Sequence, residues 1–412
     1  MVGAIVFAIS AAAFSRIPLL PDLGDDLSLT VGEIGLLTTA FGAGRLLMDL
    51  PAGRLATTVA PGVAFVVAGA GLAAASALLA ASVSLGQALA ASLLIGSVSA
   101  LTNTTGMYAF ATSGRADARG ASMAMFTSAL MLGQMAGPAL GGTLGSLAGW
   151  RAAILISGAI GIAVAIVCVA GRAAAERAGA GARSGIGPGG PGVAATDPAL
   201  DPAAAPPSRA ELIAIAAAPF ATFFAIAGLT QTLIPVIGKV ELGLSPATIG
   251  VAIGAGAAAR FAATWAAGIG SDRMSRRVVL VPSLALMALG AGSLALPLDP
   301  VVWVAAILML AIGSSGISVA AATLADRVPP PALGRELGLF RLVGDLGLLI
   351  GPLAAGFLYQ ESGPALVAGT SAAVFAAAAL VAAAWIREPP RPAEALREQA
   401  AARDRGGELL VE

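Results

Sequence analysis

The chain has 412 residues, 58% of them hydrophobic and 11% charged, with a mean hydropathy of +0.90; a soluble domain carries about a quarter charged residues, so a soluble fold is excluded. Its 23 basic and 23 acidic side chains balance, and nothing in their pattern suits nucleic acid. The single Cys168, set in an apolar run, can build neither a disulfide framework nor a cysteine metal site, and with no histidine in the chain any proton carrier must be a buried Asp or Glu.

Stretches of about 20 apolar residues cross a bilayer as helices, and twelve follow one another along the chain. The first, Val2 to Pro21, begins with no basic residue before it, which is unusual for a cytoplasmic N-terminus and leaves an upstream start open. It ends in Ile17-Pro18-Leu19-Leu20-Pro21. The second, Ile34 to Ala52, contains Arg45 and Asp49; Gly62 to Ala81, Gly86 to Ala111, Ser122 to Leu147 and Ala152 to Ala170 complete the first half. The second half runs Leu212 to Ile237, Thr248 to Gly270, Val279 to Pro297, Val301 to Leu324, Leu337 to Tyr359 and Ala365 to Ile386. Many of these segments are rich in Gly and Ala, which lets membrane helices approach closely. Between the halves, a stretch rich in Gly, Ala and Pro, including Gly187-Pro188-Gly189-Gly190-Pro191, buries too little apolar surface to offset its ordering entropy.

The expected architecture is an all-α integral membrane protein of two pseudo-symmetric six-helix bundles, residues 1–171 and 211–387. A flexible linker at 172–210 joins them and a polar tail, 388–412, follows. Basic loops stay on the cytoplasmic side. With both termini inside, Arg54, Arg115, Arg119, Arg172, Arg273, Arg276, Arg277, Arg327 and Arg335 collect there, and little beyond Arg151 and Lys239 is left outside. This orientation fits the inner, or cell, membrane of a bacterial-type cell.

The halves repeat each other. Gly133-x-x-x-Gly137-Pro138-x-x-Gly141-Gly142 returns as Gly347-x-x-x-Gly351-Pro352-x-x-Ala355-Gly356, and Arg45, Gly53 and Thr57-Thr58 align with Arg260, Gly268 and Asp272-Arg273. Two similar membrane halves are the sequence signature of a transporter. Gly137 and Gly141 lie on one helix face and permit close contact, and Pro138 removes a backbone hydrogen bond and allows a bend.

On these residues the chain resembles the major facilitator superfamily over both halves. The loop signature of that family, roughly G-x-x-x-D-R-x-x-R-R, is kept as Gly268-Ile269-Gly270-Ser271-Asp272-Arg273-Met274-Ser275-Arg276-Arg277. It is eroded in the first half, where Thr57-Thr58 stand in place of Asp-Arg. The Gly133 to Gly142 motif resembles the signature of the family's proton-coupled drug exporters. Ser92, by contrast, stands where the family often carries an Arg tied to proton coupling. The resemblance implies that Asp272 and Arg273 control a cytoplasmic gate and that the first, fourth, seventh and tenth helices line the cavity. On those helices Arg16, Asn103, Tyr108 and Gln231 are the candidate substrate contacts, beside Thr104, Thr230, Ser314 and Ser315. An amide is harder to satisfy within its own helix than a hydroxyl, which favours Asn103 and Gln231 over the two serines. Arg16 either attracts an anionic group or snorkels to the outer interface.

Ionisable groups in a spanning helix cost several kcal/mol unless paired or hydrated. Arg45 with Asp49 and Arg341 with Asp345 are each four apart and share a helix face. The resemblance brings the second and eleventh helices together, so the four residues either form a gate cluster between the halves or neutralise each other locally. Asp345, roughly 15 Å into its helix, is the candidate proton site. The expected function is a secondary transporter moving a small, largely apolar or amphipathic molecule by alternating access, in proton-coupled efflux, as a monomer. Uptake of an organic anion and a non-transporting sensor or assembly protein are the alternatives. No phosphate loop, metal cluster or activated nucleophile supports an enzyme, and no cofactor is expected.

Overall fold

A computed structural model of the protein describes residues 1–112, 119–178, 208–328 and 330–386. Arg115, most of the expected linker at 172–210 and the tail at 388–412 lie outside them. The secondary structure of the described residues is helical, with short turns between the helices: α1 (Val2–Phe14), α2 (Leu20–Asp26), α3 (Val31–Thr58), α4 (Pro61–Ala80), α5 (Leu85–Thr112), α6 (Arg119–Ala148), α7 (Trp150–Ala178), α8 (Arg209–Phe224), α9 (Ile234–Val240), α10 (Pro246–Arg273), α11 (Arg276–Ser293), α12 (Pro300–Gly313), α13 (Gly316–Arg327) and α14 (Pro330–Trp385).

Among the described residues, ten stretches are long and apolar enough to cross a bilayer. The last, Arg335–Trp385, supplies two crossings because Gly363, at φ +72°, breaks α14. Helix α3 adds another: its 28 residues suffice in length, although Glu33, Arg45, Asp49 and Arg54 dilute its apolar character. The twelve expected crossings are therefore present. Large side chains such as Leu155, Ile162, Ile166, Trp265 and Leu380 project from the outer surface of the bundle. Such a surface belongs in lipid rather than in water.

Three crossings depart from the expected uninterrupted helix. The first continues through a 3₁₀ turn, Ile17–Leu19, into α2 and reaches Asp26 rather than Pro21; Pro18 and Pro21 sit in first turns, where no N–H is missed. The seventh is π-helical from Ala225 to Leu233, between α8 and α9. The tenth is split into α12 and α13 at Ser314-Ser315.

Helix starts are written locally and repeat between the halves. Thr30 accepts from the Glu33 N–H at 3.3 Å while Glu33 accepts from the Thr30 N–H at 2.8 Å, a capping box that starts α3. Ser245 accepts from the Thr248 N–H at 3.3 Å at the matching start of α10.

Each half has its own apolar core, centred on Phe41, Phe65 and Leu72 in the first and on Trp303, Phe375 and Leu284 in the second. Each core also takes in a buried residue from the other half. Ile17 packs into the second core and Val236 into the first, so the tips of the first and seventh crossings are interlocked.

Candidate functional site

The halves meet along two seams, α3 against α14 and α6 against α10. The repeated glycine motif builds both. Within the first half, Gly133, Gly137 and Gly141 face the carbonyls of Phe7, Ala11 and Ser15 on α1 and its end, so closely that a Cβ at any of them would collide. Gly347 and Gly351 face Phe220 and Phe224 of α8 in the same way, and Gly228 faces Gly351. The other side of each motif crosses to the opposite half. There the Pro138 carbonyl faces Gly250 and the Pro246 carbonyl faces Gly142; in the matching seam the Pro352 carbonyl faces Gly35 and Val31 faces Gly356.

These contacts close one face of the protein, which also carries Lys239. From α9, Lys239 pairs with Asp22 and, at 3.1 Å, with Asp25, both on α2. Arg151 and Trp150 brace the same face from within the first half, both bonding Asp26; Arg151 Nε also donates to the Ala80 carbonyl at 3.0 Å.

Towards the opposite face, which carries Arg54, Arg276 and Arg327, the halves part around a cavity of about 490 Å³. Phe14, Phe41, Arg45, Gln134, Gln231, Arg260, Arg341 and Asp345 are on its wall. A narrower apolar end shares Phe14, Gln134, Ile226, Gln231 and Arg260 with it and continues between Ile17, Ile253, Ile307 and Leu310. Gln231 owes its place to the π-helical segment, in which Thr232 Oγ1 bonds back to the Ala227 carbonyl at 2.9 Å. Short π segments of this kind frequently lie at functional sites.

Four arginines and two aspartates lie in or beside the cavity. Arg341 Nη2 donates to Asp49 at 2.9 Å, an ion pair between the halves. Among the described residues, neither four-apart pair within a helix closes at this distance. Arg45 instead reaches Ser99 Oγ at 3.4 Å, and Asp345 stands on the wall without a hydrogen bond among the described residues. Arg260 donates to Gln134 Oε1 at 2.6 Å across the second seam. Arg16 is 2% exposed, so it does not snorkel to an interface. It lies over the Phe41 ring, 4.3 Å from its centroid, and its Nε and Nη1 have no partner among the described residues.

The other expected site residues are distributed as follows. Among the described residues, Gln231 is buried with Oε1 unpartnered and Asn103 Oδ1 is likewise unpartnered, but Asn103 and Tyr108 lie on α5 and are not on the cavity wall just described. Ser314 bonds back to the Ala311 carbonyl at 2.7 Å. Arg273 is exposed, and the side chain of Asp272 lies outside the described residues. In that loop Arg276 donates to Asp326 at 3.0 Å and to Ser271 at 2.7 Å. In the eroded copy, Thr57 and Thr58 both bond back to the Arg54 carbonyl, at 2.9 and 2.8 Å, and so finish the helix.

The sequence profile described as Major Facilitator Superfamily matches residues 2–269 and 220–409, which together span both bundles. The chain belongs to the Major Facilitator Superfamily.

Solved superfamily structures share its fold. A bacterial homologue of the human lysosomal transporter Spinster, inward-facing and occupied, is 16% identical with a TM-score of 0.68, the match covering 92% of each chain. The inward-open xylose transporter XylE from E. coli is 12% identical with a TM-score of 0.68, over 95% of this chain and 96% of that one. A mutant of the nucleoside transporter NupG is 12% identical with a TM-score of 0.68, over 93% and 98%. Likeness at this identity establishes the fold and transfers no substrate. No curated protein sequence matches. Membership of the superfamily makes the chain an integral membrane transporter of a small molecule and not an enzyme.

Sequence reasoning missed Gln134 as a site residue of this superfamily member. It is an unread position inside the motif Gly133-x-x-x-Gly137, and its polarity in an otherwise apolar crossing was the available signal. Phe41, which faces both Arg16 and Arg45, carried no such signal.

Proposed function

We propose that the protein exports a small, largely apolar or amphipathic molecule in exchange for protons, with Asp345 as the proton carrier. The supporting observation is that, among the described residues, Asp345 stands on the cavity wall without a hydrogen bond or ion pair, because Arg341, one turn away, is committed to Asp49 of the other half. The arginine-rich face is read as cytoplasmic by the bias of basic loops, which makes this conformation open inwards and places both termini in the cytoplasm of a cell with a bacterial-type inner membrane.

The cycle follows from the two faces. When the halves rock about the midplane, the contacts of Lys239 with Asp22 and Asp25 part and the glycine-lined seams open on the outside. The cytoplasmic side then closes around Arg45, Asp49, Arg341 and Asp345. A carboxylate whose surroundings alternate between cavity water and a closed, charge-lined interior takes up a proton in one state and returns it in the other. Exchange of that proton for substrate couples the two flows, and a monomer suffices because the cavity is complete within one chain.

The test is proton movement in inside-out vesicles on addition of apolar compounds, native protein against Asp345→Asn. Proton release in the native protein and its loss in the variant are expected; a variant that still couples removes Asp345 from the mechanism.

A further inference from the structure

The charge of the cavity does not match a neutral cargo. Among the described residues, the acidic side chains in or beside the cavity with Arg16, Arg45, Arg260 and Arg341 are Asp49 and Asp345, and the Arg341 to Asp49 pair uses one charge of each sign. What remains is three arginines against Asp345. Buried charge in a membrane protein is costly unless paired. Among the described residues their close contacts are slight: a neutral Gln134 amide for Arg260, a Phe41 ring for Arg16, and for Arg45 a Ser99 hydroxyl at 3.4 Å, with Asp49 and Asp345 acting on it from further off. Each guanidinium has five donors in a planar fork, so most of the donors on Arg45 and Arg260 remain available.

The shape of the space sorts polar from apolar. Gln134, Gln231 and Arg260 form a polar belt where the open cavity meets the narrow end, and beyond that belt the wall is Ile17, Ile253, Ile307 and Leu310. We propose that the cavity takes an amphipathic organic anion, its carboxylate or similar acidic group held by Arg45 and Arg260 under the field of Arg16 and its apolar body directed to the isoleucine-lined end. Planar, bidentate recognition of an acidic group is the task for which arginine is better suited than lysine. A volume of about 490 Å³ limits the cargo to a small molecule. The proposal rests on the transport reading above and names the cargo of that same site.

The experiment uses the full chain purified in detergent and pairs of probes that differ in charge alone: benzoate against benzamide, cinnamate against cinnamyl alcohol, hexanoate against hexanol. Thermal unfolding and equilibrium binding are measured for the native protein, Arg45→Gln, Arg260→Gln and Arg260→Lys. The acids are expected to bind and stabilise where their neutral partners do not. Arg260→Gln should weaken the acids by about tenfold or more. Arg260→Lys, which keeps the charge without the fork, should fall between and guards against a folding defect in the glutamine variant. Equal binding of neutral and acidic members, no charge-dependent stabilisation anywhere in the panel, or unchanged acid binding in both glutamine variants overturns the proposal. Its failure is separable from that of the coupling reading. Proton release driven by neutral compounds would leave coupled export standing without the anion, and acid binding that survives Asp345→Asn with no proton movement would do the reverse.

Discussion

Arg341 and Asp49, on α14 and α3, are joined at 2.9 Å across the seam between the two halves, in preference to the partners four residues away on their own helices. The choice follows from geometry: the seam brings α3 and α14 side by side, and Asp49, at 20% side-chain exposure, is offered to the other half rather than to Arg45. An ion pair placed between two bodies that move apart and together biases their arrangement more than it stabilises either body. Arg341 is 57% exposed, so solvent screens the pair and its share of stability is about 0–1 kcal/mol. Asp49→Asn and Arg341→Gln should therefore leave the melting temperature nearly unchanged and shift the balance of inward- and outward-open states in the same direction. The exchange Asp49→Arg with Arg341→Asp should restore it. Because Cys168 is the one native cysteine and is buried, thiol labelling at cysteines introduced on each face reads that balance with little background. Opposite shifts from the two single variants would show that the pair does not act as a unit.

The opposite face carries ionic contacts of its own between the halves. Lys239 joins α9 to Asp22 and Asp25 of α2, the ionic contact of that closed side. Lys239→Gln removes both attractions at once and leaves two neighbouring carboxylates to repel each other. The expected outcome is increased labelling of cysteines near α2 and α9, reproduced in weaker form by Asp25→Asn, whose contact at 3.1 Å is the more exposed of the two. Unchanged labelling in Lys239→Gln would assign closure of this face wholly to the glycine seams.

Those seams carry a sharper expectation. Gly35 and Gly250 hold equivalent places, each against the carbonyl of a motif proline in the other half, Pro352 and Pro138. Backbone cannot retreat as a side-chain end can, so Gly35→Ala and Gly250→Ala should each cost the closed seam about 1–3 kcal/mol and drive the protein towards the state open on the Lys239 face. Gly53 and Gly268 have open space around the same position and should accept alanine without effect. Gly141→Ala is a different case, because its collision with Ser15 lies within one half. It should lower the melting temperature and leave the balance of states alone.

The contrast between these glycines shows how much was legible in the sequence. Apolar length and the paired Gly-Pro motifs were enough for an all-α membrane fold of two related halves, because a crossing helix must satisfy its backbone internally and leaves its signature in consecutive residues. What could not be read was whatever depends on which helix lies opposite. The motif itself does not say that Gly141 meets α1 while Gly142 meets α10. The π-helical turn that carries Gln231 leaves no periodic mark in so apolar a run, and the split at Ser314-Ser315 has no proline to announce it. In the Gly268 to Arg277 loop, the family signature marks Asp272 and Arg273 but does not say that Arg276 meets Asp326, on a helix far along the chain. The resemblance placed Arg16 on a cavity-lining helix; its burial over Phe41 depends on α3 packing against the first crossing, which no local pattern encodes.

Gln134 offers the last expectation, and it separates structure from ligand binding at one position. Its Oε1 accepts from Arg260 at 2.6 Å and ties α6 to α10 at the belt between the two parts of the cavity. A hydrogen bond to a charged group contributes about 1.5–3 kcal/mol, and losing it strands the donor as well. Gln134→Leu should therefore lower the melting temperature and weaken the second seam. Gln134→Glu should do the opposite, since a carboxylate meets the Arg260 guanidinium with a full charge and no loss of size. If Arg260 serves only to join the helices, the glutamate variant will transport as well as the native protein or better. If Arg260 is kept for an anion, the glutamate occupies its charge from within, and the variant will be the more stable protein and the poorer binder of benzoate and cinnamate. Thermal unfolding and binding measured on the same two variants decide between these outcomes, because a structural role moves both readouts together and a ligand role drives them apart.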